Sequence, residues 1–335
     1  MKRFAPIQHL DCAETAPDLS AIFERSEPLV LKNLLKHWPV VQKAHEGDTE
    51  VAAYLSELAT SEPVTVYQGN SPDQTKVFYN DDLTGFNFTP SSAPLAEVLD
   101  TLIKDNSEHS AMHYVGSTLI DRWLPRFCQH HTVPSVPDTA LRSIWLGNQT
   151  EIPAHFDFPD NLACVVAGQR RFTLFPPEQV SNLYVGPLEH TPAGQPISMV
   201  DLNQPDLERF PLFREALVHA RQAELNPGDA IFIPSMWWHH VASLRKLNIL
   251  VNYWWRNTPH FLGNPTNALM HALLSIGQLP AHQKQAWQSL FDHWVFNSDE
   301  GRMNHLPEDK TGALGNIDEV RARRLRADLI NKLNR

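Results

Sequence analysis

The run Ala154-His155-Phe156-Asp157 carries the strongest chemical signal in the sequence. In a β-strand, side chains two residues apart share a face. His155 and Asp157 would then point together into an interior, with Phe156 on the other side. A third ligand must come from a distant segment, and the best source is PGDAIFIPSMWWHHV, residues 227–241. There Pro227-Gly228-Asp229 makes a turn, residues 230–234 read as a buried strand, and a histidine pair follows. His239 and His240 are adjacent, so only one readily faces a metal; we favour His240 and read His239 as a structural neighbour. Two histidines and one carboxylate on one face of a metal, with the other face open, is the arrangement of non-haem Fe(II) oxygenases. Neutral imidazole and carboxylate keep iron divalent and bound, and the open positions accept a cosubstrate and then dioxygen. Zinc competes for the same ligand types, which do not exclude it. An isolated HxD arises by chance; its pairing with PGD, an apolar strand and WWHH gives it weight.

The elements that must position these residues are mainly strands. From about 111 to 256 the pieces AMHYVGS, RSIWLGN, residues 153–158, NLACVVAG, QRRFTLFPP, DAIFIP and LNILVNYWW alternate with loops rich in Pro, Gly, Asn and Asp. Short strands with turn signals between them predict a sandwich or barrel. The insert 186–224 is too long for a hairpin, and its FPLFREALVHARQAEL portion predicts a short helix. Upstream, PLVLKNLL (28–35) starts as a strand, 48–59 has helical apolar spacing behind Asp48 or Thr49 as cap, and 62–69 alternates as a strand. Residues 94–105 predict a helix with proline in its first turn. Between them, 70–93 is polar and turn-rich, with Phe78, Tyr79, Phe86 and Phe88 either covering an entrance or packing in a core. After Pro259, helical spacing recurs over 265–277, 281–296 and 317–333. The expected organisation is therefore an N-terminal α/β flank (1–110), a β core (111–258) and a helical C-terminal extension (259–335).

Composition narrows the class. The chain has 335 residues, 42% of them hydrophobic, enough for one large core with an appended piece. With 28 Lys plus Arg against 38 Asp plus Glu, its formal net charge is −10, which does not attract nucleic-acid phosphates at long range. Cys12, Cys128 and Cys164 are widely spaced and odd in number, so they form neither a disulfide framework nor a CxxC pair. No secretory signal and no apolar run long enough for a membrane is apparent. The expectation is a cytoplasmic protein without nucleic-acid or membrane partners.

AHFDFPDNLACVVAGQRRFTLFPPEQVSNLY, VDLNQPDLERFP, LNPGDAIFIPSMWWHHVASL and NILVNYWW together resemble the cupin-like JmjC-domain Fe(II)/2-oxoglutarate oxygenases. Within that family the pattern is similar to the asparaginyl hydroxylase of hypoxia-inducible factor, and closer to uncharacterised bacterial cupin-like proteins. The resemblance is dense over about 110–256 and looser over 15–110, where EPLVLKNLLKHWPVV matches the opening segment. It implies a double-stranded β-helix (cupin or jelly-roll) with helices, and a metal held by His155, Asp157 and His240. It implies 2-oxoglutarate as cosubstrate, its far carboxylate meeting Arg170 in place of a family lysine. A fork of two N–H donors suits a carboxylate, while Arg171, of opposite parity, would face outward. Tyr114 matches a tyrosine on the same carboxylate. Asn161 and Asn252 match asparagines of the site, and Trp254 shares the Asn252 face. Ile152 stands where the hydroxylase has a threonine that contacts 2-oxoglutarate, and Gly116 where it has a glutamine. The resemblance thus implies a hydroxylase acting on a peptide, saccharide or small molecule, and a homodimer through the C-terminal helices, whose apolar stripe includes Leu269, Leu273, Leu274 and Ile276. The alternative is a non-catalytic metal-binding cupin that binds or senses a ligand.

Overall fold

The computed structural model describes residues 4–71, 74–105, 110–192, 194–297 and 303–334. They divide into two compact units, one ending at Trp255 and one starting at Arg256. The first begins with strands β1 (Ala5–Pro6), β2 (His9–Asp11), β3 (Leu29–Lys32), β4 (Pro63–Gly69), β5 (Phe88–Pro94) and β6 (His113–Leu119). Eight more follow: β7 (Leu141–Gly147), β8 (Glu151–Phe156), β9 (Asp160–Ala167), β10 (Arg170–Phe175), β11 (Arg221–Leu225), β12 (Ala230–Ile233), β13 (Trp238–Ser243) and β14 (Asn248–Trp255). One sheet runs β1-β11-β10-β13-β8 and the other β2-β3-β12-β9-β14-β7-β6-β4-β5. From β7 to β10 and again from β11 to β14 the chain alternates between the two sheets, with β10 and β11 neighbours in the smaller one, as a jelly-roll requires, so the predicted mainly-β cupin fold with helices is the one observed.

Alternation sorts the side chains into three apolar layers. On β14, Leu250, Asn252 and Trp254 face the barrel interior, while Ile249, Val251 and Tyr253 enter the core outside the larger sheet. That outer core is covered by helices α1 (Leu19–Phe23), α2 (Pro39–Glu46), α3 (Asp48–Leu58), α4 (Leu95–Lys104) and α5 (Ile120–Trp123). α2, which the alternation and spacing of the sequence do not announce, opens on Pro39, where the missing N–H costs nothing. The α3 cap also differs from expectation, since Asp48 is already helical and Gly47 precedes it. Outside the smaller sheet, the insert packs Leu183, Val200 and Phe213 against Phe175 and Trp238. It contains α6 (Phe213–His219), a short helix within the predicted portion. Arg221–Leu225, at the end of the same portion, form β11, because those residues find ladder partners on both β10 and β1. Likewise β5 forms inside the turn-rich 70–93 segment by pairing with β4.

Two local devices set the inward faces. Gly168 and Gln169 join β9 to β10, and Gly168 has φ +75°; a Cβ there would lie 2.3 Å from the Leu247 carbonyl oxygen. This two-residue turn takes the chain from the larger sheet to the smaller one, and the inward face passes from Asn161 and Ala163 on β9 to Arg170 and Phe172 on β10. On β8, Ile152 and His155 oppose Val241 and His239, three residues advancing against two. The extra residue is a bulge at Pro153-Ala154, where the missing N–H of proline removes no needed ladder bond.

The second unit holds helices α7 (Pro265–Ser275), α8 (Ala281–Phe291) and α9 (Glu319–Leu333), as the spacing predicts. Among its described residues only Ala322 is buried. Leu269, Leu273, Leu274, Trp287 and Phe296 are exposed.

Candidate metal centre and cosubstrate pocket

His155, Asp157 and His239 bring one ligand atom each within 4.8 Å of one another, the only such group of three or more among the described residues. β8 and β13 position them: His239 lies directly across the ladder from His155, and their rings are 4.2 Å apart. His155 Nδ1 is 2.8 Å from the Pro153 carbonyl oxygen and His239 Nδ1 is 3.0 Å from that of Trp237. A carbonyl only accepts, so each Nδ1 carries the proton and each Nε2 keeps a lone pair for a metal. His239 Nε2 is 3.6 Å from Asp157 Oδ2, a buried oxygen that makes no hydrogen bond. Burial holds the His239 imidazole well below its ordinary pKa, with His155 adding to the effect, so it is neutral. Burial pushes the Asp157 carboxyl above its ordinary value, opposed by His155, Trp254 and Asn161. A divalent cation would remove both penalties, and the donor set fits one.

His240 does not join this group, which corrects the expected third ligand. Along β13, His239 and Val241 face the interior and His240 faces out. It pairs with Thr173 of β10, and its Nε2 lies 3.7 Å from Glu151 Oε2 on the outer surface of the sheet. The preceding tryptophans are packing residues. Trp237 donates to the Ser26 carbonyl, and Trp238 packs on Phe156 with ring centroids 4.9 Å apart. Asp229 of the PGD turn accepts from the backbone of Asn33 and Asn226 and pairs with Lys32 at 2.7 Å, fixing the turn that launches β12.

The remaining expected residues converge behind the triad. Arg170, Tyr114, Asn161, Asn252 and Trp254 line an inner cavity of about 50 Å³ with the three ligands. Arg170 is 3% exposed; its Nε makes no hydrogen bond, and its Nη2 reaches the Trp145 carbonyl only at 3.4 Å. Among the described residues no carboxylate pairs with it, while Arg171 points out and bonds Glu224 at 2.8 Å. Burial pushes the Arg170 pKa down to about 10, still protonated at neutral pH, and the same burial raises Tyr114, leaving its hydroxyl a neutral donor. A buried, unpaired guanidinium costs several kcal/mol, so it is placed to meet an anion that enters the cavity. Asn252 accepts from Trp145 Nε1 at 2.8 Å and reaches Asn161 Oδ1 at 3.5 Å. Trp145 was missed at the sequence level. Its signal was available: in RSIWLGN it stands between Ile144 and Leu146, both of which belong to the outer core.

Toward solvent the cavity widens into a mouth of about 520 Å³, shared by His155, Asp157, Ile152 and Trp254. Tyr67, Phe86 and Phe88 line it on one side and Thr191 and Pro192 on the other. Of the four aromatics singled out, Phe86 and Phe88 thus border the entrance. Tyr79 is buried with its hydroxyl on the His190 carbonyl. Gly116 belongs to this mouth, where a Cβ would press to 3.2 Å of the Tyr114 ring. Ile152 brings an apolar face to the mouth, as its place opposite the hydroxylase's threonine implied.

The Cupin-like domain model matches residues 16–261. The chain belongs to the cupin-like JmjC family. It is 28% identical over 258 residues to Jumonji C domain-containing protein 5 of Drosophila melanogaster, covering 74% of this chain and 59% of that protein. It is 26% identical over 241 residues to JmjC domain-containing protein D of Dictyostelium discoideum, covering 66% and 50%. A core segment of 116 residues is 34% identical to Lysine-specific demethylase JMJ31 of Arabidopsis thaliana, covering 34% of this chain and 21% of that protein. The chain thus spans between about a fifth and three fifths of the length of these relatives. No helix among the described residues is long and apolar enough to cross a membrane.

Proposed function

We propose that this cupin-like protein is an Fe(II)- and 2-oxoglutarate-dependent oxygenase, with iron held by His155, Asp157 and His239. The observation that carries this reading is the pairing of a His-Asp-His triad with a buried, unpaired Arg170 in one cavity. The overall reaction converts 2-oxoglutarate, dioxygen and a substrate C–H into succinate, carbon dioxide and C–OH. Bound iron supplies the redox chemistry that activates dioxygen. The chain's own residues do the rest. Arg170 and the Tyr114 hydroxyl receive the far carboxylate, which turns the cost of the buried charge into selectivity for a dianion of fixed length. Asn161 and Asn252 hold the polar wall, and Phe172, Val241 and Leu250 keep water out.

Release of labelled carbon dioxide from 1-labelled 2-oxoglutarate with Fe(II), abolished in Asp157→Ala and His239→Ala, is the expected result. Binding of metal and 2-oxoglutarate without succinate formation, across peptide, saccharide and small-molecule libraries, would instead favour a non-catalytic ligand-binding cupin. Ile152 is the observation on that side, since it withdraws a hydrogen-bond donor from the pocket wall. The demethylase name of the Arabidopsis relative rests on the shared core and does not choose the substrate.

The exposed apolar side chains of α7 and α8 cannot be left in water at little cost, and a second copy of the chain would cover them. A homodimer persisting on dilution in light scattering is expected. Cys12, Cys128 and Cys164 are all free thiols, which suits a reducing cytoplasm.

A further inference from the structure

Releasing His240 from the metal leaves a buried histidine with no assigned work. It is 5% exposed, its Nδ1 makes no hydrogen bond, and Oε2 of its neighbour Glu151 makes none either. Both side chains line a cavity of about 270 Å³ on the outer face of the β8–β13 wall, across the sheet from the triad. The 199–202 segment covers it, and the Lys76–Asp201 ion pair stands at its rim. Phe78, Pro153, Met199 and Leu202 supply apolar wall.

Two features argue against solvent as the natural occupant. At ~30 Å³ per molecule the space equals roughly nine waters, more than the few polar groups of its lining can anchor. Most of its lining is apolar, so such waters would lack the two to four partners each needs. Charge then selects the guest. Lys76 offsets Asp201, and Asn203 donates to Glu151 Oε1 at 2.6 Å, leaving Glu151 Oε2 as an unmatched anionic acceptor beside an imidazole whose 3.7 Å approach is too long for a hydrogen bond.

We propose that this cavity is a second ligand site, taking a small primary ammonium compound with an apolar body. The ammonium supplies donors to Glu151 Oε2 and to the free ring nitrogen of His240. The body lies against Phe78, Pro153, Met199 and Leu202. The site does not depend on the oxygenase reading, because none of these residues belongs to the inner cavity.

The test is a calorimetric and NMR titration of metal-free full-length protein with n-butyl- to n-hexylammonium, and with the alcohols of matching length. Saturable one-to-one binding of an ammonium at about 1 mM or tighter is expected, at least about tenfold stronger than its alcohol. Glu151→Gln should weaken it about tenfold or more, with an unfolding transition retained to show that the variant folds. Leu202→Trp, which fills the cavity from its rim and leaves Glu151 and His240 in place, should abolish it. Equal binding of ammonium and alcohol, unchanged binding in E151Q or L202W, or no saturation by about 10 mM would overturn the proposal.

Discussion

The two faces of the β8–β13 ladder make opposite uses of the same residue types. On the inner face His155 and His239 have their Nδ1 protons committed to backbone carbonyls, and their Nε2 atoms and the Asp157 carboxylate are turned toward one point. On the outer face His240 and Glu151 stand 3.7 Å apart with polar atoms uncommitted and an apolar cavity in front of them. Composition does not separate the two sites. What separates them is which hydrogen bonds the backbone has already made, and that follows from strand parity and one bulge.

The comparison breaks most visibly on metal affinity. His239→Ala removes one of three ligands and should weaken Co(II) or Fe(II) binding by about a hundredfold or more, whereas His240→Ala should stay within about threefold. Anaerobic Co(II) titration followed by its visible absorption reads both. Equal loss in the two variants would mean that the ladder does not present His239 as described.

A second pair tests the same parity on β10. Arg170→Met leaves the far carboxylate of 2-oxoglutarate without its cation in a buried cavity, and should cost about 2–4 kcal/mol of cosubstrate affinity. Arg171→Met removes only an exposed pair with Glu224, whose effect should be within about 0.5 kcal/mol. Calorimetry with 2-oxoglutarate on the Co(II)-loaded protein measures both; a larger loss in R171M would sink the assignment.

How much of this was legible depended on whether local rules decided the outcome. The jelly-roll strands, Arg170 inside and Arg171 outside, and the Asn252–Trp254 face all follow from period-two alternation within each strand. The choice between His239 and His240 turned on the register of β13, which is set by a partner strand with a bulge at Pro153 that no alternation rule announces. Simple counting still held a clue. Val241 is apolar and lines the pocket, so His239, two residues before it, had to share that side. β11 and β5 were missed for a different reason. Their sequences have weak strand character, and partners far along the chain recruit them.

The smallest expected effect sharpens the contrast between a histidine kept for function and one kept for packing. His131 is buried in the outer core, stacked on Phe127 with ring centroids 4.0 Å apart. Its Nδ1 donates to the Phe127 carbonyl at 2.6 Å and its Nε2 accepts from the Val40 N–H at 3.2 Å, so both ring nitrogens are satisfied only in the neutral form. Burial pushes its pKa down to about 4, below the ordinary value near 6.5. Between those values the unfolded chain takes up a proton that the folded chain refuses, so the neutral form's contribution is complete above about pH 6.5 and is lost as pH falls toward 4. At pH 5 the loss amounts to about 2 kcal/mol. His131→Gln keeps an acceptor for Val40 and cannot titrate. The raised carboxyl of Asp157 works in the opposite direction in metal-free protein, and it is common to both chains. Urea unfolding at pH 7 and pH 5 should therefore show wild type losing about 2 kcal/mol more than H131Q. Parallel losses would place the acid sensitivity elsewhere and leave His131 without an energetic signature of its own.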